Sequence, residues 1–296
     1  MISLVQLLME SQGKNKAIIM AGAAGSGKTT LVTGNEEKAI EGLIQAVPEL
    51  KSFKYFNPDE YIEGKKELVD PETGEKIEDV SLAKAASQID SVDVPKALEQ
   101  DENFIWDTTA ANAARIVGGQ VRRKDVKGLT ETPNYDFMMV MVYAHPIVSF
   151  ISNFQRERKV PKVGILYTWN NVYGNIDAYK SKLGNNFVMY QAPTNQFYEK
   201  EIQEFNKAVD ENKVYEYLES IVSQDPEKFI STFKKSTDGL SPEEKAKREK
   251  QAEKTQEQYK ASISQLEKEF KEIANKVEKY SSSKEEVVSK IKNFIK

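Results

Sequence analysis

Short apolar runs alternate with segments of helical spacing over the first two thirds of the chain. Five of these runs are candidate buried strands, at positions 16–21, 54–56, 104–106, 136–144 and 187–190. Short, nearly continuous apolar runs are typical of parallel strands, because both faces of such a strand are covered by helices. The pattern therefore predicts an α/β fold of three layers with a mostly parallel sheet at its centre.

Helices are predicted in most of the intervening segments. They cover positions 28–47 with a break near Gly34, 80–98 up to a turn near Pro95, 108–126 apart from Gly118 and Gly119, 146–158, and 166–183. Strands that alternate with helices form repeating units in doubly wound folds. We therefore expect these helices to lie on the two faces of the sheet.

The last third of the chain has a different character. No further strand is predicted after Pro193, where charged helical sequence takes over. Apolar residues then recur in alternating steps of four and three over positions 259–280, which is a heptad seam. Such a helix is half of an intrachain hairpin, a helix lying on the core domain, or a dimerisation helix, and the sequence leaves these alternatives open. We expect a first domain over 1–192, beginning with an amphipathic helix at 1–12, and a helical region over 193–296.

Composition limits the partners and the location. The 296 residues include 39% hydrophobic and 30% charged residues, which is typical of a soluble protein with a richly charged surface. No apolar run approaches the ~20 residues that span a bilayer. The first twelve residues lack the positive start and the small-residue cleavage site of a secretory signal. We expect a cytoplasmic protein without a membrane partner.

Charge and the rare residue types exclude several kinds of site. The chain has no cysteine and a single histidine, His145, so disulfides, thiolate metal sites and zinc clusters are excluded. We expect His145 to make a structural hydrogen bond. The net charge of −4 gives no general attraction to nucleic acid, although a local basic groove is compatible with it. A nucleic-acid partner therefore stays open.

Residues 22–29 read GAAGSGKT, between the first predicted strand and a predicted helix. This is the P-loop pattern, in which backbone N–H groups turn inward onto phosphate oxygens. Lys28 is expected to reach the β and γ phosphates, and the Thr29 hydroxyl to bind Mg²⁺. The sequence lacks an Asn-Lys-x-Asp guanine-reading motif, which favours ATP over GTP. The expected nucleotide-binding residues are Gly22, Ala23, Ala24, Gly25, Ser26, Gly27, Lys28, Thr29 and Thr30.

Two aspartates, Asp59 and Asp107, stand close to the ends of predicted strands. The carboxyl ends of parallel strands converge on a bound nucleotide, so both carboxylates are candidates for the phosphate site. Phosphoryl transfer needs a carboxylate at the acceptor hydroxyl, a contact to magnesium or substrate, and cations on the transferred group. Arg156 and Arg158, in the segment QRERKVP, are candidates for these cations, because guanidinium groups fork onto phosphate oxygens. A solvated helix end is the alternative for both arginines.

Several of these residues have a structural alternative. Asp59 and Asp107 are of a type that often caps a following helix. The aromatic residues Tyr167, Trp169 and Tyr173 share a predicted helix, where they form either part of the core or a platform on which a base stacks.

Four segments, in order, resemble one family of enzymes. They are GAAGSGKTT, NPDEY, WDTTAAN, and QRERKVP followed by YTWNNVYGNI. Together they resemble the zeta-toxin and polynucleotide-kinase-like P-loop kinases, including related kinases carried by bacteriophages, over about residues 16–190. The resemblance implies that Asp59 is the general base on the acceptor hydroxyl. It implies that Asp107, Thr108 and Thr109 line the substrate pocket and that Asn112 adds a polar contact. Asp107 is also expected to join Thr29 at the metal.

One position departs from the family. Polynucleotide kinases of this kind carry an arginine shortly after the acidic residue, where this chain has Ile62. A DNA or RNA 5′ end as the acceptor is therefore not implied. We expect a kinase that moves the γ-phosphoryl group of ATP to a hydroxyl of a nucleotide, a nucleotide-sugar or a polynucleotide. The alternative is a nucleotide-regulated assembly protein that works through its helical C-terminal region, for instance as a homo-oligomer.

Overall fold

A six-stranded parallel sheet forms the centre of the fold. The computed structural model describes residues 13–36, 39–70, 73–121, 124–154, 160–224 and 241–296. In the order in which they lie side by side, the strands are β2 (Lys54–Phe56), β3 (Phe104–Asp107), β1 (Asn15–Ala21), β6 (Tyr135–Tyr143), β7 (Phe187–Gln191) and β8 (Ser281–Ser282). All neighbouring pairs in it are parallel. The predicted α/β class and the five predicted strands are confirmed.

Each face of the sheet carries its own hydrophobic core. Along β1, Ala17, Ile19 and Ala21 belong to one core. Ile18 and Met20 belong to the other, because successive side chains of a strand point to opposite faces. Both faces are covered, and for this reason the strands read as continuous apolar runs in the sequence.

Helices follow the strands along the chain. They are α1 (Lys28–Thr33), α2 (Leu43–Ala46), α3 (Pro58–Ile62), α4 (Leu82–Gln88), α5 (Val94–Glu99), α6 (Ala113–Val117), α7 (Pro146–Phe154), α8 (Lys162–Gly174), α9 (Ile176–Leu183), α10 (Glu199–Asp210), α11 (Val214–Gln224), α12 (Pro242–Tyr280) and α13 (Lys284–Phe294). A π-helical segment, Ile89–Asp93, joins α4 to α5. Apolar residues of α1, α2 and α13 pack in one core, and those of α7, α8 and α12 pack in the other.

Several predicted helices have different limits. The helix predicted over 28–47 stops at Thr33, and an antiparallel bridge between Asn35 and Ile40 separates α1 from α2. The turn predicted near Pro95 is absent, because Pro95 lies in the first turn of α5, where a helix tolerates proline. The helix predicted over 166–183 is two helices that meet at Asn175.

The helix predicted over 108–126 is wrong. Only the five residues of α6 are helical in it. After them, β4 (Gly119–Val121) pairs with β5 (Lys124–Val126) as an antiparallel hairpin. Gly118 has a φ of +79°, in the left-handed region that favours glycine, so it ends the helix and turns the chain into the hairpin.

The long helix α12 carries the heptad seam. The amide of Asn170 on α8 donates to the carbonyl of Ser262 on α12 at 2.8 Å, and the rings of Trp169 and Phe270 lie 6.3 Å apart. Of the three alternatives, the helix lying on the core domain is therefore the one observed. The seam side chains are buried in the same hydrophobic core as β1: Tyr259, Ile263, Leu266, Phe270, Ile273 and Val277.

The expectation of no strand after Pro193 is also wrong, although for two residues only. β8 continues the sheet, since Ser281 pairs with Met189 and Ser282 pairs with Tyr190. The helix predicted at 1–12 lies outside the described residues. Over the ranges that the structure describes, no helix has the length and apolar character to cross a membrane.

Candidate active site

The glycine-rich loop (residues 22–28) lies where the chain changes direction across the sheet. β1 and β6 are neighbours, but the chain runs from β1 to β2 on one side and from β6 to β7 on the other. In an open α/β sheet such a point leaves a crevice at the carboxyl ends of the strands, and ligands bind there. The loop follows β1 at this crevice and leads into α1.

Two glycines of the loop are required by its close approach to neighbouring backbone. Gly25 has a φ of +78°, and a Cβ atom there would lie 3.0 Å from the carbonyl oxygen of Ser149. A Cβ atom on Gly22 would lie 2.6 Å from the carbonyl oxygen of Val142. Any side chain at Gly22 would therefore displace the loop from the end of β6.

A cavity of about 440 Å³ opens above the loop. Of the described residues predicted for the site, Gly22, Ala23, Thr30 and Asn112 do not line it. The others do: Ala24, Gly25, Ser26, Gly27, Lys28, Thr29, Asp59, Asp107, Thr108 and Thr109. The cavity thus brings the glycine-rich loop together with both candidate carboxylates.

Lys28, Thr29 and Asp107 meet in this cavity. Lys28 Nζ donates to the carbonyl oxygens of Gly22 and Ala23 at 2.9 and 3.3 Å. The same ammonium lies 3.7 Å from Asp107 Oδ1. The Thr29 hydroxyl donates to Asp107 Oδ2 at 3.3 Å. The cation, the hydroxyl and the carboxylate predicted for a phosphate and metal site are therefore close together.

Asp107 is the last residue of β3 and is 5% exposed. Burial raises the pKa of its carboxyl, the Lys28 ammonium opposes this rise, and the carboxylate of Asp59 adds to it. The Tyr55 hydroxyl donates to Asp107 Oδ2 at 3.3 Å. Burial also raises the pKa of Tyr55, so the phenol stays protonated as a donor. A buried carboxylate with a second carboxylate nearby is stabilised by an added cation.

Neither aspartate caps a helix. Asn57 caps α3, since its side-chain oxygen accepts from the backbone N–H of Asp59 at 2.9 Å. Asn112 caps α6, since its side-chain oxygen accepts from the N–H of Arg115 at 3.4 Å. The structural alternative, in which Asp59 and Asp107 cap these helices, is therefore wrong. The predicted substrate contact of Asn112 stays a prediction.

The loop after β3 is held by side chains from α9 and its N-terminal end. Ala110 has a φ of +54°, which costs a residue with a Cβ atom about 1–2 kcal/mol. The Tyr179 hydroxyl donates to the carbonyl of Ala110, and the Asn175 amide donates to that of Ala111 at 3.3 Å. These contacts fix the backbone beside Thr108 at the cavity wall.

Tyr173 has a role in the site that the sequence did not indicate. Its hydroxyl donates to the carbonyl of Val142 at 2.7 Å and accepts from the N–H groups of Ala23 and Ala144 at 3.3 and 3.4 Å. One phenol thus joins the glycine-rich loop to the end of β6. Tyr173 and Trp169 are fully buried, which confirms the core interpretation for them, whereas Tyr167 is 60% exposed.

Arg156 and Arg158, the predicted lid cations, lie outside the described residues. The chain on either side of their segment is close to the cavity. The Asn153 side chain donates to the carbonyl of Val160 at 2.9 Å and accepts from its N–H at 3.1 Å, and Val160 lines the cavity. The lid function of the two arginines stays a prediction.

His145 is buried away from the cavity. Its Nδ1 accepts from the N–H of Ile147 at 3.4 Å, so Nε2 carries the proton and lies 3.1 Å from the Asn206 side-chain oxygen. Burial lowers the pKa of His145 to about 4. The predicted structural hydrogen bond is confirmed.

The oxygen atoms of Thr29 and Asp107 are of the kind that magnesium prefers. Within the described ranges, no group of three or more histidine, cysteine, aspartate or glutamate side chains is arranged to hold a metal. Magnesium at this position would therefore take further oxygens from phosphate and water, as it usually does. The donor set fits a metal held between the protein and a nucleotide.

Comparison with protein-family models gave no match, and comparison with curated proteins gave none either.

Proposed function

We propose that the protein is an ATP-dependent kinase that transfers the γ-phosphoryl group to a hydroxyl of a nucleotide, nucleotide-sugar or polynucleotide acceptor. One observation supports this most directly: a single cavity holds Lys28 and Thr29 of the P-loop sequence together with the carboxylates of Asp59 and Asp107. Binding of a nucleotide requires only the loop. Transfer to a hydroxyl also needs a carboxylate that faces the loop from the end of a different strand.

The nucleotide end of the reaction would rest on the glycine-rich loop. Its N–H groups would bind phosphate oxygens, and Lys28 would exchange the carbonyls of Gly22 and Ala23 for the β and γ phosphates. This exchange is favourable because hydrogen bonds between ionised partners are the stronger ones. Magnesium, held by Thr29 and phosphate oxygens with Asp107 beside it, would neutralise part of the phosphate charge when bound.

The acceptor end would rest on Asp59. The acceptor oxygen bonds to the γ-phosphorus, the bond from that phosphorus to the β–γ bridging oxygen breaks, and ADP leaves. Asp59 takes the hydroxyl proton. Asp59 is the better candidate for this base because it is partly exposed at the cavity wall, whereas Asp107 is buried and lies against Lys28 and Thr29.

The substitution Asp59→Asn tests the proposal. Loss of a general base typically costs 10²–10⁴-fold in rate, so kcat should fall by about that factor while the Kd for ATP stays within about threefold. Turnover of ATP is measured with nucleosides, nucleotides, nucleotide sugars and 5′-hydroxyl oligonucleotides as acceptors, and ATP binding by calorimetry. Asp79→Asn is the control, because this carboxylate is 95% exposed and outside the cavity. Wild-type turnover in Asp59→Asn would refute the assignment.

The alternative function as a nucleotide-regulated assembly protein relied on the helical C-terminal region. The heptad seam is buried against the protein's own core, so it does not support that alternative. Oligomerisation that depends on nucleotide but needs no acceptor would favour it over the kinase.

A further inference from the structure

A second hollow adjoins the cavity. This side hollow has a volume of about 320 Å³, and Asp90 and Trp106 line both spaces. A molecule seated in the side hollow would thus border on the cavity that Asp59 lines. Much of its lining is apolar and comes from α5, β3 and the segment after β5: Val94, Pro95, Leu98, Trp106 and Leu129.

The boundary between the two spaces is built from an unusual segment. Asp90 belongs to the π-helical segment Ile89–Asp93. Single π-helical turns inside α-helices are rare and frequently occur at functional sites. The segment is anchored on its other side, since the Tyr61 hydroxyl donates to Asp93. Asp90 is therefore held at the point where the spaces meet.

Arg115 is placed in the side hollow by Asp90. Its Nη1 donates to Asp90 Oδ2 at 2.5 Å, and its Nη2 donates to the backbone carbonyl of Asp90 at 3.0 Å. The guanidinium has five N–H donors, so these two bonds leave others for a ligand. The side chain of Arg115 is 47% exposed. Among the described residues, the charged side chains that line the hollow are Asp90, Arg115 and Lys127, two cations against one anion.

We propose, resting on the proposed kinase function, that the side hollow is the acceptor subsite and that Arg115 binds a phosphate monoester of the acceptor. A guanidinium held in a fixed orientation matches the oxygens of a phosphate. The apolar wall at Trp106 takes the ring of the acceptor, and its free hydroxyl extends past Asp90 to Asp59. The acceptor class is a small phosphorylated hydroxyl compound: a nucleoside monophosphate, which belongs to the acceptors proposed above, or a sugar phosphate, which would extend them.

Paired acceptors with and without phosphate test this subsite. Nucleosides are compared with their monophosphates, and hexoses with their 6-phosphates, in the wild type and in Arg115→Gln. For the phosphorylated member, KM should rise tenfold or more in the variant. The kcat/KM of the unphosphorylated member and the KM for ATP should stay within about twofold. Equal losses for both members of a pair, or an unchanged preference for phosphate, would overturn the proposal.

Two further variants separate binding from folding. Lys84→Gln removes an exposed cation of α4 that pairs with Asp79 outside both spaces, and it should behave as the wild type. Asp90→Asn keeps the charge of Arg115 but loosens its position, so the rise in KM should be smaller than in Arg115→Gln. Melting temperatures of all variants show whether a loss comes from unfolding.

A binding measurement separates the subsite from the kinase proposal. The glycine-rich loop is saturated with a non-hydrolysable ATP analogue and Mg²⁺, and the same phosphorylated compounds are titrated by calorimetry. At least one should bind, with a Kd that rises tenfold or more in Arg115→Gln. Binding that depends on Arg115 without any phosphoryl transfer would refute the kinase and keep the subsite. No binding at millimolar concentration, or equal binding by the variant, would refute the subsite.

Discussion

The Tyr173 hydroxyl offers a sharp test of how the glycine-rich loop is held. Tyr173→Phe keeps the ring and removes one oxygen, which bonds Val142 at 2.7 Å and the N–H groups of Ala23 and Ala144 at longer distances. Loss of the short hydrogen bond and of partners for buried polar groups should cost about 2–4 kcal/mol in total. The two long bonds contribute little to this cost, and most of it comes from the lost hydrogen bond to the carbonyl of Val142.

The melting temperature gives the magnitude directly. At about 2.1 cal/mol/K per residue, the unfolding entropy of 296 residues is near 0.6 kcal/mol/K, so the midpoint should fall by about 3–6 °C. The affinity for ATP should fall only by about two- to threefold, because the long bond from the N–H of Ala23 contributes little to the position of the loop.

A matched control lies on the same helix. Tyr167→Phe removes a hydroxyl from a side chain that is 60% exposed, and both midpoint and ATP affinity should stay at wild-type values. A wild-type midpoint of thermal unfolding for Tyr173→Phe would show that the hydroxyl does not contribute to stability. A lowered midpoint with unchanged ATP affinity would show that the loop keeps its shape without it.

Two other substitutions probe the hydrophobic core. The folded-state pKa of His145, about 4, is below its unfolded value near 6.5, so the unfolded chain binds the extra proton as pH falls through this window. Between pH 7 and 4 the free energy of unfolding of the wild type should therefore fall by about 3 kcal/mol more than that of His145→Gln. Urea unfolding at several pH values measures both, and the same loss in the two proteins would contradict a buried neutral ring. Leu266→Ala should cost about 2–5 kcal/mol without changing the molar mass in light scattering; a dissociated oligomer would mean that the seam joins two chains.

The sequence predicted the strands because their signal is local. The longest apolar run, at 136–144, became β6 almost at its predicted limits, since burial on both faces demands apolar residues throughout. The loop pattern likewise specified Lys28 and Thr29 by their spacing. Asp107, from a distant position in the chain, was already expected beside Thr29 at the metal, and the structure adds the contact of its carboxylate with Lys28.

The failures arose where distant contacts decide the backbone. Residues 108–112 have helical composition, but the side chains of Tyr179 and Asn175 hold them in an irregular loop. The periodicity of 259–280 predicted a buried seam correctly and left its partner open, because a heptad pattern specifies a face and not what covers it. The sequence did not predict the position of Arg115 in the side hollow, because that position depends on Asp90 in a helical segment from another part of the chain.

The pairing of Ser281 and Ser282 with β7 has a consequence for the order of synthesis. β7 ends at Gln191. The backbone N–H and C=O groups on the edge of β7 that pairs with β8 therefore have no strand partner until the ribosome has made the chain beyond 282. At typical elongation rates this delay is on the order of ten seconds. During that time the nascent sheet presents an open edge of the kind that pairs with other chains. The two-residue strand therefore covers its part of this edge only late in synthesis.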